Sequence, residues 1–282
     1  IQDKELLLIG TVHRDPEGLA KLSRLLSKEC PVAVAVEVSP YGLFYRHKNG
    51  RRLHRQLMRR VNRLANELRV SWRRWGQIDA IQTQLRTPFE YRTAQNYCRD
   101  HGAMLFCIDS SDWSKRWIHE QWQHLLSSEN LRTLLKELPE DLRDEVGRDY
   151  KMASLLLDPG DRSLVSVFAQ RWAEDPCWQK REAELAQELE RLYLRVQKGR
   201  LAYAGGWQHL LGPHAGGTLY ERLEHLQPRR VLLDNGVSSQ QAAGSRQEAA
   251  GSRQLGRGHR EVISNCEMRM VKPGRVRSES QL

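Results

Sequence analysis

The chain has 282 residues, 39% of them hydrophobic, and a formal charge of +10 from 45 Lys and Arg against 35 Asp and Glu. That length can bury a core in one large domain or two small ones, and the basic excess raises nucleic acid or an anionic surface as a partner. Five scattered cysteines (Cys30, Cys98, Cys107, Cys177, Cys266) without a C-x-x-C pair argue against a disulfide framework or a cysteine zinc site, and for a reducing, cytoplasmic setting. No run approaches the ~18 apolar residues that cross a bilayer, and the opening strand begins too early to leave room for a signal peptide.

In chain order, the first strand is predicted at Leu6 to Ile9, followed by a helix over Gly18 to Lys28 with Leu19, Leu22, Leu25 and Leu26 on one face. A second strand spans Val32 to Val38. A helix from Phe89 to His101 follows a proline that suits its start, and a third strand spans Ala103 to Ile108. From Trp113 to Gln197 the pattern is helical, including Lys180 to Val196 with Leu185, Leu189, Leu192 and Leu194. Leu201 to Ala204 is a weaker strand candidate, and Arg230 to Leu233 is the last.

Strands this apolar, alternating with helices, predict an α/β fold: a mostly parallel central sheet with flanking helices and a helical insertion at about 113–199. After Asn235 the composition turns to Gly, Ser, Gln, Ala and Arg, and AAGSRQ occurs twice, at Ala242 to Gln247 and Ala249 to Gln254. Residues 1–235 are thus the expected domain. Residues 236–282 are an expected disordered basic tail, too poor in apolar side chains to offset its ordering entropy.

Each strand is followed by a residue able to carry chemistry. The first runs into Gly10-Thr11-Val12-His13, the second into Glu37 and the third into Asp109; the weak candidate runs into Gly205-Gly206-Trp207-Gln208-His209. Carboxyl ends of parallel strands share the edge where open α/β proteins build their sites, so two histidines and two carboxylates are expected to converge. Gly10 and Gly206, each three residues before a histidine, would let the backbone turn off the strand with no side chain in the way. Imidazole and carboxylate together are a normal ligand set for a catalytic divalent metal. Singly, each residue has a plainer reading: a hydrogen-bonded histidine, a Glu37–Arg46 ion pair, or Asp109 capping the helix that begins near Trp113.

In these residues the chain resembles the TraB/PrgY/GumN family, whose wider superfamily includes TIKI metalloproteases and, more distantly, erythromycin esterases and haem-binding ChaN proteins. The resemblance spans residues 6 to 235 and rests on four motifs in order. They are "IGTVH", then "AVEVSPYGLFYR" with Arg46, then "FEYRTAQNYCRDHGAMLFCID" with Glu90 and Asp109, and finally "GGWQHLLGPHAGGTLYERLEHLQPRRVLL". It implies that His13, Glu37 and His209 are metal residues, with Glu90, Asp109 and Arg46 lining the cleft as catalytic groups. His214 competes with His209 for the second histidine role. The activity implied is a metal-dependent hydrolase of a peptide, amide or other small-molecule substrate, using Mn, Co, Zn or Fe. The chain departs from the family in having Asp109-Ser110 where Asp-Arg is usual, and in ending in a polar tail where several members end in transmembrane helices.

Two other functions compete. Between Arg51 and Trp75, leucines and a valine at helical spacing stand among arginines, with Glu67 the sole acid, the pattern of a nucleic-acid-binding helix or of an amphipathic helix with a solvated basic face. The relatives also suggest a non-catalytic regulatory protein, of the pheromone-shutdown or haem-binding kind. The eight tryptophans read most simply as core or helix-packing residues; Trp207 alone sits inside a motif and is the one candidate to touch a ligand.

Overall fold

Strands buried on both faces need helices on both faces, and that requirement organises the molecule. The computed structural model describes residues 4–157, 165, 168–169, 172–212 and 216–234. The tail expected from residue 236, Cys266 and the alternative histidine His214 lie outside them.

Five strands form one all-parallel sheet: β1 (Glu5–Thr11), β2 (Ala33–Val36), β3 (Met104–Cys107), β4 (Arg200–Gly206) and β5 (Arg229–Leu232), in the order β3-β2-β4-β1-β5. The α/β expectation holds. The candidate with the least pronounced sequence signal, β4, is the central strand, pairing Glu5–Thr11 with Arg200–Gly206 on one side and β2 on the other. Its residues Ala202, Ala204, Gly205 and Gly206 are small because they are crowded, which is also why they look unlike a strand.

Alternation along the strands divides the core into two layers. Leu7, Ile9, Val34, Val36, Ala202 and Ala204 face α1 (Gly18–Glu29), α4 (Phe89–His101) and α7 (Leu142–Leu157). Leu6, Leu8, Ala35, Leu201 and Tyr203 face α8 (Pro176–Arg195) and the short α9 (Leu219–Arg222). A third cluster is purely helical: Leu57, Val61 and Leu64 of α2 (Pro40–Leu68) pack with α3 (Gly76–Leu85), α5 (Ser111–Leu125) and α6 (Ser128–Lys136).

The stretch expected to be a helical insertion is mostly helical among the described residues, with short connections, and its helices serve three places. α5 and α6 join α2, α7 covers one face of the sheet, and α8 covers the other. Leu19 and Leu194, expected on buried faces, are exposed. No described helix is long and apolar enough to cross a membrane.

Helices that connect parallel strands run back against them, so their first turns reach the edge where the strands end. This places the starts of α4 and α8 beside the ends of β1, β2 and β4, and makes that edge the meeting point of residues far apart in sequence.

The buried sheet carries the stability. Leu8 is fully buried, and replacing it with Ala is expected to cost about 2–5 kcal/mol in chemical denaturation. The same truncation at exposed Leu138 is expected to stay within about 0.5 kcal/mol of the parent.

Candidate functional site

At the carboxyl edge, two histidines each hold a carboxylate from a helix that precedes a strand. His13, just past β1, places Nδ1 2.8 Å from Oε1 of Glu90 in the first turn of α4. Thr11 Oγ1 donates to the same oxygen at 2.8 Å. His209, just past β4, places Nδ1 2.5 Å from Oε1 of Glu182 in α8. The second oxygen of Glu182 accepts from the backbone N–H of Leu219 at 2.6 Å.

The remaining nitrogens of both rings face Glu37, just past β2. His209 Nε2 is 3.0 Å from Glu37 Oε1, and His13 Nε2 is 3.6 Å from Oε2. Arg181 donates to Glu37 Oε1 at 2.5 Å and to Asp109 Oδ1 at 2.9 Å, tying the ends of β2 and β3 to α8. The N–H of Gly206 donates to Glu37 Oε2 at 2.6 Å. Glu90, Glu182, Arg181 and His209 are all buried, whereas 48% of the His13 side chain is exposed.

Four of the six predicted side chains, His13, Glu37, His209 and Glu90, thus form one continuous cluster, which Asp109 joins through Arg181. Arg46 does not touch it. Its guanidinium donates to the carbonyls of Gln84 and Gly42 and lies over the Trp122 ring, holding α2 against α3. Burial lowers its pKa to about 10, against the opposing charges of Glu90 and Asp109. The expected Glu37–Arg46 pair is therefore replaced by Glu37–Arg181. Asp109 is not a helix cap either; Ser110 caps α5, its hydroxyl accepting from the N–H of Trp113.

Both motif glycines have ordinary negative φ angles, so their role is space rather than backbone freedom. A Cβ on Gly206 would stand 3.1 Å from His13 Nε2, and one on Gly10 would press on Leu210, Leu232 and Trp207. The tightest position is Gly205, where a Cβ would collide with the Tyr203 hydroxyl and Glu37.

Three members of the site carry no mark in the sequence motifs. Arg181 and Glu182 look like ordinary charges on a helix face, although they sit early in the helix before β4 just as Glu90 sits early in the helix before β3. That parallel is the available signal. Trp178 stacks on His209 with ring centres 5.2 Å apart, and with Trp113 it flanks the Arg181 guanidinium. Trp207, the one tryptophan that is also a candidate for a ligand, follows the plainer expectation: it is a buried core residue stacked on Phe168.

Electrostatics explain how so many charges share a buried place. Burial opposes ionisation of Glu37, but His209, Arg181 and His13 hold its pKa well below the ordinary carboxylate value. Burial likewise pulls His209 down, and Glu182 and Glu37 overcome it to push the imidazole up to about 10. His13 is raised by Glu37 and Glu90 against its own desolvation. Arg181 and His209 thus face Glu37, Glu182 and Asp109, with His13 between Glu37 and Glu90, so that each acidic group of the cluster has a basic neighbour.

The expected divalent metal does not fit this arrangement. Among the described residues, no group of three or more His, Cys, Asp or Glu side chains is placed to hold an ion. Both oxygens of Glu37, the only carboxylate shared by the two histidines, are already engaged by Arg181 and by the Gly206 N–H. The Nε2 nitrogens that would bind metal instead face Glu37.

Comparison with known protein families, with curated proteins and with solved structures finds no match to this chain.

The raised pKa of His209 makes stability depend on pH with a definite sign. The folded chain holds the proton up to about 10, whereas an unperturbed histidine loses it near 6.5. The contribution is therefore complete below pH 6.5 and fades as pH rises through about 10. Denaturant unfolding between neutral pH and pH ~10 is expected to show this decline in the parent and a flatter profile in His209→Gln. Glu182→Gln is expected to move the His209 titration downward in NMR.

Proposed function

We propose that the chain is a hydrolase in which the His13–Glu90 pair moves the proton at an amide or peptide bond. The carrying observation is that His13 alone among the clustered groups is solvent-accessible, while Glu90 beneath it is buried and fixed by Thr11. A carboxylate on Nδ1 sets the tautomer and leaves Nε2 as the working nitrogen. In this reading water at Nε2 gives a proton to the imidazole as its oxygen bonds to the carbonyl carbon. The proton then passes to the leaving nitrogen as the C–N bond breaks. Glu37, ionised and pinned by Arg181 and Gly206, faces the ring and favours the imidazolium formed midway. The resemblance to the TraB/PrgY/GumN family supports an amide or peptide substrate, and the bond it implies is the one assigned here.

Because His13 is raised above its ordinary 6.5, it holds its proton to higher pH and works as a base only as pH climbs. The rate is therefore expected to go on rising with pH beyond the point at which an ordinary histidine has lost its proton. The test is a panel of peptide, amide and ester substrates against the parent, His13→Ala and Glu90→Gln. General-base loss predicts a fall in kcat/KM of about 10²–10⁴ for His13→Ala with the fold retained by circular dichroism. Equal turnover in parent and variant would sink the reading, and no turnover of any substrate would leave the cluster a structural ion network.

The metal-dependent version of the hydrolase is separated by the same assay. Chelation is expected to leave turnover unchanged. Loss on chelation, restored by Mn, Co, Zn or Fe, would show that Glu37 leaves Arg181 to bind an ion.

A further inference from the structure

We infer that the outer face of α2 is a docking surface for the phosphate backbone of a nucleic-acid duplex. The observation is a row of arginines one helical turn apart, Arg51, Arg55, Arg59 and Arg63, flanked by Arg52 and Arg60. All but Arg60 are exposed, and Arg52, Arg55, Gln56, Arg59 and Arg60 line an open groove along the helix.

These charges lack the neutralising partners that a merely solvated face would have. The sole acid between Tyr41 and Trp75, Glu67, serves Arg63 at 3.8 Å and Arg132 at 2.7 Å, at the far end of the row. Among the described residues Arg51, Arg52, Arg55 and Arg59 form no ion pair; Arg52 donates to Asn49, and Arg55 to the backbone carbonyl of Arg51 in the same helix. Four neighbouring guanidinium groups therefore repel one another in the free protein, and an external polyanion relieves that repulsion.

The chemistry of the row selects the partner. Every cation from Arg51 to Arg73 other than His54 is Arg and none is Lys, which favours the two-pronged donation that a phosphate accepts. The row from Arg51 to Arg63 runs 12 residues, about 18 Å along the helix axis, and with Arg52 it presents five exposed guanidinium groups to a phosphate backbone. A bilayer is the less suitable polyanion. The apolar side of this stretch, Leu53, Leu57, Val61 and Leu64, is buried in the helical cluster and cannot enter lipid. The arginine row shares no residue with the His13–Glu37–His209 cluster, so this inference stands or falls apart from the proposed hydrolase.

The experiment is fluorescence anisotropy of a labelled DNA duplex of about 20 base pairs, titrated with the full chain at roughly 50 to 200 mM salt. The probes are the parent, a triple Arg51→Gln/Arg55→Gln/Arg59→Gln variant, and the matching triple Lys variant that keeps the charge. Parent binding is expected to weaken with salt at a slope of about −4 to −5 in log K against log salt. The triple Gln variant should lose about three from that slope and at least tenfold in affinity near 50 mM salt, while the triple Lys variant retains most of both. Full parent affinity in the triple Gln variant would overturn the proposal by assigning binding to another basic segment. Absence of duplex binding near 50 mM salt would overturn it as well, as would capture by phosphatidylserine vesicles with none by the duplex.

Discussion

The site depends on keeping one carboxylate, Glu37, ionised inside the protein. An isolated buried carboxylate would take up a proton rather than bear its desolvation. Glu37 avoids this by collecting a guanidinium, an imidazole and a backbone N–H from two elements: Arg181 from α8, His209 and Gly206 from the end of β4. Those cations need anions in turn, which Asp109 supplies to Arg181 and Glu182 to His209. The cluster is a closed exchange of charge, and removing any one member strands its neighbours. Such a network is costly to break and adds less to net stability than its number of contacts suggests.

The sheet order makes the exchange possible. β4 lies between β1 and β2, so the residues just beyond these three strands, His209, His13 and Glu37, emerge side by side although their sequence positions span most of the domain. The helices leading into β3 and β4 begin at that same edge, each carrying a glutamate toward a histidine. His13–Glu90 and His209–Glu182 are the same device built twice, a strand-end imidazole held by an early-helix carboxylate. They differ in access. The first opens to solvent and the second is sealed beneath Trp178, which separates a pair that can meet a substrate from one that can only support Glu37.

Much of this is legible in the sequence because strand ends are easy to read. His13, Glu37, Asp109 and His209 each stand a residue or a few beyond an apolar run, and Glu90 belongs to a motif that ends in such a run. Arg181 and Glu182 are not legible in that way, because a charged pair in a helix rich in Glu, Arg and Lys carries no local mark; their burial is decided by the sheet beneath. Arg46 misleads for the opposite reason. It stands in a motif two helical turns and more past Glu37, but α2 leads away from the edge, and its guanidinium ends on the carbonyl of Gln84. β4 is faint because its small residues lower the apolar signal in the one strand that is crowded from both sides.

The same logic separates the two basic regions of the molecule. At the sheet edge every cation of the cluster has a carboxylate within reach, and the pKa shifts point to charges held in place: Arg181 and His209 up, Glu37 down. On the outer face of α2 the arginines have almost none, because the apolar side of that helix is spent on the helical cluster while Arg51, Arg52, Arg55 and Arg59 on its polar side are exposed. Charge that is balanced internally holds a site together. Charge left unbalanced along a row of about 18 Å is open to a polyanion outside the chain, the partner inferred above. The positive balance of the sequence is thus not spread evenly: part of it belongs to residues 236–282, and part stands along the outer face of α2, where a long anionic partner could run beside the helix.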